Sequence, residues 1–359
     1  MKYIDEFRDK KLVDRLMAEI RKFRGRAAFM EVCGTHTMAI FRGGLRGLLG
    51  ERIALISGPG CPVCVTSQGD IDRMIALSHV KGMILTTFGD MLKVPGSRSS
   101  LEKERAAGAD VRIVYSPLDA LEICRANPRN EVAFLGVGFE TTSPAVASVI
   151  SDAAAKKIRN FSVYSCHKVI PPAMRALLCA GEVRLDGFIC PGHVSTIIGT
   201  QAYDFICRDY HLPCVVTGFE PVDILESLLM LLRQVQRKEA KVEIQYKRAV
   251  NPEGNPLARA LLNKIFVPAD ADWRGLGIIP ASGLRLRKEF AAFDAAKKFP
   301  LRVPKPKENP HCLCGKVLRG IKTPADCRLF AKACTPEHPF GPCMVSSEGS
   351  CSAWYKYNR

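Results

Sequence analysis

Cysteine is the residue whose abundance and spacing most plainly announce chemistry in this chain, and its densest run lies near the C-terminus. Six cysteines, at 312, 314, 327, 334, 343 and 351, stand in HCLCGKVLRGIKTPADCRLFAKACTPEHPFGPCMVSSEGSCSAWYKYNR. Six thiolates exceed what one tetrahedral metal needs, so four ligands with two thiols left over is the natural division. A structural zinc site usually shows paired C-x2-C knuckles, and the gaps here are one, twelve, six, eight and seven residues. A [4Fe-4S] cluster accepts irregular spacing, because its irons stand at the corners of a cube and can be reached from separate loops. The cluster is the preferred reading, with zinc as the alternative.

A second set of cysteines lies near the N-terminus. Cys33 follows an apolar run in MEVCGTHTMAIF, and Cys61 and Cys64 follow another in ISGPGCPVCVTS. Both places read as the point where a parallel strand hands over to a helix. Open α/β sheets collect ligands there, and helix N-termini stabilise anions, so these thiols are expected to have lowered pKa values and to be reactive or metal-binding. The alternative for C-P-V-C is a turn with two small buried residues. Other strand-end loops are FGDMLKVPG (88–96), GVGFETTSPA (136–145), SCHKVIPP (165–172), CPGHVST (190–196) and TGFEP (217–221). They suggest one shared cleft, in which His36 and His193 act as acids, donors or ligands, or merely cap their turns. Glu140 and Asp90 are candidates for orienting such groups.

The elements that must carry these motifs recur from Ala27 to about Arg237 as apolar run, turn, helical pattern, the signature of alternating β and α elements. Eight strands are expected at 27–32, 52–57, 82–87, 111–115, 131–136, 161–165, 187–190 and 213–217. Helices start near Ser143, Pro171-Pro172, Ser195 and Pro221, and the last carries a broad apolar face to Arg237. Eight βα units allow a single (βα)8 barrel or two open parallel sheets of four strands, and the polar turn at 125–130 favours the pair. The expected layout is an N-terminal helix (1–25) packing on the C-terminal module, an α/β domain with CGTHT and CPVC (26–128), a similar one with GFETT and PGHVS (129–238), and a Cys-rich module (239–359). The stripe Ile4, Phe7, Leu12, Leu16, Ile20 and Phe23 is the buried face of that first helix. Beyond Arg237 the sequence reads as an exposed strand, a turn and a Pro-rich basic stretch to Pro310.

Composition narrows the class. Apolar residues make up 47% and charged residues 25% of 359 residues, which suits ordinary globular folding rather than disorder. The first 25 residues lack a secretory core and no apolar run is long enough to span a bilayer, so a cytoplasmic protein without membrane attachment is expected. Fifteen cysteines in such a chain argue for metal ligation or redox chemistry rather than disulfides. Cys124, Cys166, Cys179, Cys190, Cys207 and Cys214 sit in or beside apolar runs and read mostly as small core residues. The net charge of +16 is dispersed, without an aromatic-interleaved RNA motif or a helix-turn-helix pattern, so specific nucleic-acid binding is not expected.

C-x-C-G-x-V-L-x-G, C-x-L-F, C-T-P and C-M-V-S-S-E-G-x-C, together with C-G-T-H-T, G-P-G-C-P-V-C, F-G-D-M-x-x-V-P-G, G-F-E-T-T-x-P and P-G-H-V-S, resemble the HypD family of hydrogenase maturation proteins along nearly the whole chain. The resemblance implies a C-x14-C-x6-C-x16-C cluster pattern, which falls on Cys312, Cys327, Cys334 and Cys351. It implies a redox-active dithiol/disulfide at Cys314 and Cys343, similar to ferredoxin:thioredoxin reductase. It further implies a role in building the Fe(CN)2(CO) group of [NiFe] hydrogenases with the partners HypC and HypE, the hydrogenase large subunit being reached indirectly. In that picture Cys33 holds the iron with a cysteine of HypC, and Cys61 and Cys64 exchange thiol and disulfide states with electrons from the cluster. His36 and His193 donate to diatomic ligands or protonate an intermediate. Two other classes are a free-standing Fe–S thiol-disulfide oxidoreductase and a nucleic-acid-binding Fe–S protein.

Overall fold

A computed structural model describes residues 9–357. All eight expected strands form: β1 (Ala27–Glu31), β2 (Ile53–Ser57), β3 (Met83–Thr87), β4 (Asp110–Ile113), β5 (Glu131–Gly136), β6 (Phe161–Ser165), β7 (Gly187–Pro191) and β8 (Cys214–Thr217). Three more follow, β9 (Val242–Ile244), β10 (Phe266–Trp273) and β11 (Gly277–Leu286). Every residue of β3 and of β7 is buried, as expected of parallel strands covered on both faces.

The eight strands make two open parallel sheets rather than a barrel. Their grouping, however, does not follow consecutive halves. One sheet has the order β2-β1-β7-β8-β9 and the other β4-β3-β5-β6. Because β3 pairs with β5 in parallel register, Met83 opposite Glu131, the expected boundary at 128/129 falls inside one sheet. The chain leaves the first sheet after β2, builds the second, and returns when β7 pairs with β1, placing Phe29 opposite Gly187. The ends of β1 and β2, which carry Cys33 and the C-P-V-C loop, therefore sit beside the end of β7, which carries P-G-H-V-S. The helix start read at Ser195 lies one turn earlier: Gly192–Ile198 is helical, and the Ser195 hydroxyl donates back to Pro191 O.

The N-terminal helix spans Lys10–Arg21, with Asp9 Oδ1 accepting from the Lys11 amide at its N-cap. Ile4 and Phe7 lie outside the described residues. The expected stripe is buried at Leu16, Ile20 and Phe23, but not against the Cys-rich module. It packs on the long helix Pro221–Arg237, sharing a core with Ile224, Leu228 and Leu231 behind the first sheet. An amphipathic stripe says that a face is buried; the apolar face of 221–237 is the surface that covers it.

The region read as a Pro-rich basic stretch contains a helix, Pro256–Ile265, and the antiparallel ribbon β10-β11, with a register shift between Ala269 and Ala271. The ribbon is tied to the end of β6: the Val169 amide donates to Ser282 O and that of Leu284 to His167 O. Among the described residues no helix is long and apolar enough to cross a membrane.

Ile20→Ala removes a side chain only 3% exposed and should cost about 2–5 kcal/mol of unfolding free energy. Because its partner is helix 221–237, the thiol reactivity of the cysteine tail should stay unchanged in the folded variant. Urea unfolding and thiol titration of the same samples check both halves of that expectation.

Candidate redox and metal site

Cys33 lies two residues beyond the end of β1 and forms the N-cap of helix Gly34–Arg42, with extended backbone angles. Cys61 is the N-cap of the one-turn helix Pro62–Val65, where its sulfur accepts from the Cys64 amide at 3.3 Å. Gly60 joins the two: the Gly34 N–H donates to Gly60 O at 2.9 Å, and a Cβ on Gly60 would collide with the backbone of Val32 and Cys33. Only a residue without a side chain permits that approach.

The thiols of Cys61 and Cys64 lie 2.7 Å apart, and those of Cys314 and Cys343 lie 2.8 Å apart. The two pairs meet, because the one-turn helix Pro342–Val345 packs on Pro62–Val65. Cys343 shares hydrogen bonds with Cys314, Cys351 and Cys64, and these contacts with burial push its thiol well above the ordinary range. Burial also pushes Cys64 up, but hydrogen bonds from Cys343 and Cys61 and the charge of Arg274 outweigh it and bring the thiol down to about 6.

The remaining N-terminal thiols depart from the expectation of lowered pKa. Burial and the nearby Glu348 carboxylate raise Cys33 to about 11, against the pull of the His36 and Thr35 amides. Burial and the Cys64 thiol raise Cys61 well above its ordinary value. Neither the helix that Cys33 caps nor the one-turn helix that Cys61 caps offsets desolvation, and Cys64, the one thiol of the three that is lowered, owes this to its thiol neighbours and Arg274 rather than to its place at a strand end.

Cys312, Cys327, Cys334 and Cys351 line one small cavity with Cys314, Cys343 and Gly341. A Cβ on Gly341 would stand 3.0 Å from Cys312 Sγ. Burial first, then the neighbouring cysteines, raise Cys312 to about 12, and Cys334 is raised for the same reasons. The Phe340 amide donates to Cys334 Sγ at 3.4 Å. Among the described residues no three His, Cys, Asp or Glu side chains converge as a single metal ion would need.

Of the loops expected to share one cleft, those of His36, His193 and Phe219 meet, while Glu140 makes its contact elsewhere. His36 Nε2–H donates to Gly218 O at 2.9 Å, with Thr217 O at 3.2 Å. Both partners are carbonyls, so the proton is on Nε2 and the buried Nδ1 is a lone pair without a partner. Burial lowers His36 to about 4, so at neutral pH it has no second proton to give. Phe219 stacks between the buried His36 and the exposed His193, at 4.6 and 3.8 Å. Glu140 instead accepts from the Ile170 amide at 3.0 Å in the second sheet's end, and burial raises its carboxyl to about 7. Asp90 reaches the cysteine tail, where its carboxylate accepts from Ser346 Oγ at 3.3 Å.

Three residues of the site escaped sequence reasoning. Glu348 lies across Cys33, accepting from Thr35 Oγ1 at 2.6 Å, with its Cβ packed where a Gly34 side chain would be. It is the single charged residue between Cys343 and Cys351, the one signal that marks it. Glu31, buried two residues before Cys33, accepts from Ser57 and Thr37 and is raised to about 7 by burial, against the opposing pull of Arg46. Arg274 arrives from a hairpin turn and has no local sequence signal. Of the six cysteines assigned to the core, Cys124, Cys166, Cys190 and Cys214 are buried, Cys207 is partly so, and Cys179 is exposed, 3.2 Å from Tyr210 Oη.

Comparison with known proteins matches residues 9–358 to a family model described as "HypD: Hydrogenase formation hypA family". The chain belongs to the HypD family. A relative named hydrogenase maturation factor HypD from Azotobacter vinelandii is 49% identical over 373 residues, covering 100% of this chain and 97% of that protein. The protein of the same name from Cupriavidus necator is 47% identical over 370 residues, covering 100% and 98%. The Escherichia coli K12 protein is 43% identical over 368 residues, covering 100% and 99%. The HypD motifs read in the sequence thus sit in a chain that matches the family over residues 9–358.

Glu140 supplies a test of the buried charge in this HypD chain. Its carboxyl is raised on folding, so its contribution to stability is complete below about 4.5 and is lost as pH rises through about 7. Glu140→Gln should therefore flatten the decline in unfolding free energy between pH 5 and 8 and gain of the order of 1–3 kcal/mol at pH 8 relative to wild type. Denaturant melts at several pH values measure this directly.

Proposed function

We propose that this HypD-family protein is a hydrogenase maturation factor, a scaffold and redox protein on which an iron destined for a [NiFe] hydrogenase receives cyanide and carbon monoxide. The observation that carries the reading is the unbroken thiol series. Cys61 and Cys64 touch, Cys64 meets Cys343, Cys343 touches Cys314, and Cys343 also meets Cys351 on the wall of the four-thiol cavity. A four-iron group is wider than one ion, and thiols spread around a cavity are the donors it takes. Cys312, Cys327, Cys334 and Cys351 would hold a [4Fe-4S] cluster, and when bound it would supply electrons one at a time.

The chain's own thiols then perform the two-electron chemistry. With Cys61–Cys64 as disulfide and Cys314/Cys343 as dithiol, Cys343 thiolate attacks Cys64 sulfur and Cys61 leaves, taking the proton Cys343 gave up. Cys314 next attacks Cys343 sulfur, the Cys64–Cys343 bond breaks, and Cys64 leaves as the thiolate, the proton of Cys314 passing to water. One disulfide is reduced and one dithiol oxidised, with one proton released because Cys64 stays ionised. Cys33 is the ligand proposed for the substrate iron: a soft thiol, partly exposed, on the outer side of this series. Partners resembling HypC and HypE would supply the second ligand and the cyanide. His36 orients Phe219 and through it His193, which leaves His193 as the candidate donor.

Iron carrying these diatomic ligands gives infrared bands where protein is nearly silent. In the complex purified with its HypC-type partner, Cys33→Ala should lose the bands while keeping the visible absorbance of the cluster. Cys327→Ala should lose that absorbance, and Cys314→Ala should retain it. Bands of wild-type intensity in Cys33→Ala would remove the iron from this residue.

A further inference from the structure

The turn between β10 and β11 touches both cysteine pairs. Trp273 makes an antiparallel bridge to Thr66, and the Arg274 amide donates to Val65 O at 2.9 Å, at the C-terminal end of the one-turn helix that carries Cys64. The Arg274 side chain is 6% exposed and fully engaged. Its Nε donates to Thr66 O at 3.1 Å, Nη2 to Gln68 Oε1 at 2.8 Å, and Nη1 to Glu308 Oε1 at 3.2 Å. The next residue faces the other way. Gly275, at φ +78°, lies backbone to backbone on Gly315, and a Cβ built on Gly315 would stand 2.9 Å from Gly275 Cα. Gly315 directly follows Cys314 in the helix Cys314–Leu318.

We infer that the turn Trp273–Gly275 is a clamp that holds the Cys64 helix at exchange distance from the Cys314/Cys343 pair, with Arg274 as its positioning residue. The inference rests on the thiol-exchange reading proposed above. Three features make the turn a clamp rather than a neighbour. Its main chain bonds the Cys64 helix end, its guanidinium fork spans two carbonyl-type acceptors on the following residues, and its glycine admits the Cys314 helix at a distance no side chain would allow. The fork also places a fixed positive charge near Cys64, whose thiol that charge helps to lower. Thiol exchange needs in-line approach of sulfur on sulfur, so a shift of either helix separates the reacting atoms without touching a cysteine.

The test uses the full chain, purified anaerobically, in wild-type, Arg274→Gln, Arg274→Lys and Gly275→Ala forms. Dibromobimane, which bridges only neighbouring thiols, is applied to the reduced proteins, and bridged peptides are identified by mass. With Cys61→Ser and Cys314→Ser made throughout the bridging series to remove the nearer partners at 2.7 and 2.8 Å, the protein otherwise wild type should yield a Cys64–Cys343 bridge. Arg274→Gln and Gly275→Ala should lose it and transfer a preformed Cys61–Cys64 disulfide to Cys314/Cys343 roughly 10²-fold more slowly, the scale of misplacing reacting atoms by about an ångström. The alkylation midpoint of Cys64, about 6 in wild type, should rise in Arg274→Gln, stay in Gly275→Ala and be recovered in Arg274→Lys, which restores charge but not the fork or the bridge. Wild-type bridging in both Arg274→Gln and Gly275→Ala would overturn the clamp. A bridge present in wild type and lost in the variants, with no disulfide transfer in any of them, would support the clamp and overturn the relay.

Discussion

The contact of two one-turn helices, Pro62–Val65 and Pro342–Val345, is the interaction on which the site depends. The Cys64 thiol and Pro342 O, 278 residues apart in sequence, come within 3.9 Å there. Each cysteine pair belongs to a different end of the chain, and neither helix has enough turns to be stable alone. What holds them is a set of close backbone approaches. Gly60 lies on Cys33, Gly349 on Cys343, and Gly34 under the Glu348 side chain, and a Cβ at any of the three would occupy space already filled. The glycines of G-P-G-C, C-G-T-H and E-G-x-C are thus steric conditions for bringing the thiols together.

The same crowding explains the electrostatics. Desolvation is the largest influence on Cys33, Cys61, Cys64, Glu31, Glu140 and His36, and in every one it favours the neutral form. Only at Cys64 do hydrogen bonds from two thiols and the Arg274 charge reverse the sign. Most of the lysines and arginines behind the net charge of +16 stay on the surface, where solvent screens them, while Lys168 and Arg274 are buried. Glu31 beside Cys33 costs stability above about pH 7, which is how a site carries strain for function rather than for folding.

How much could be read beforehand follows from the range of each interaction. The strands were legible because a parallel strand covered on both faces is a continuous apolar run, and β5 and β6 match their expected limits residue for residue. Pairing order was not, since the choice of β7 rather than β3 as the neighbour of β1 is made across more than a hundred residues and leaves no periodic trace. The ribbon β10-β11 is hidden in what reads as a Pro-rich basic stretch, whereas a two-stranded ribbon has free edges that tolerate Pro268 and Pro280. Cysteine type and spacing exposed the thiols themselves. Arg274 and Glu348 were hidden, because each acts on a cysteine distant in sequence, and a lone Arg or Glu in a loop reads as a solvated charge.

Under the proposed relay, the unequal thiols give exchange a direction. A mixed Cys64–Cys343 disulfide can resolve in two ways: Cys314 attacks Cys343 sulfur and expels Cys64, or Cys61 attacks Cys64 sulfur and expels Cys343. Leaving-group thiols of lower pKa depart faster. Cys64 is held at about 6 and Cys343 well above the ordinary range, so expulsion of Cys64 is the faster route. That route leaves Cys314 and Cys343 oxidised and Cys61 and Cys64 reduced. In that route electrons run from the pair on the cavity wall toward the pair beside Cys33, and what favours it is the set of contacts around Cys64, among them the Arg274 charge, that spares one thiolate against the opposing effect of burial.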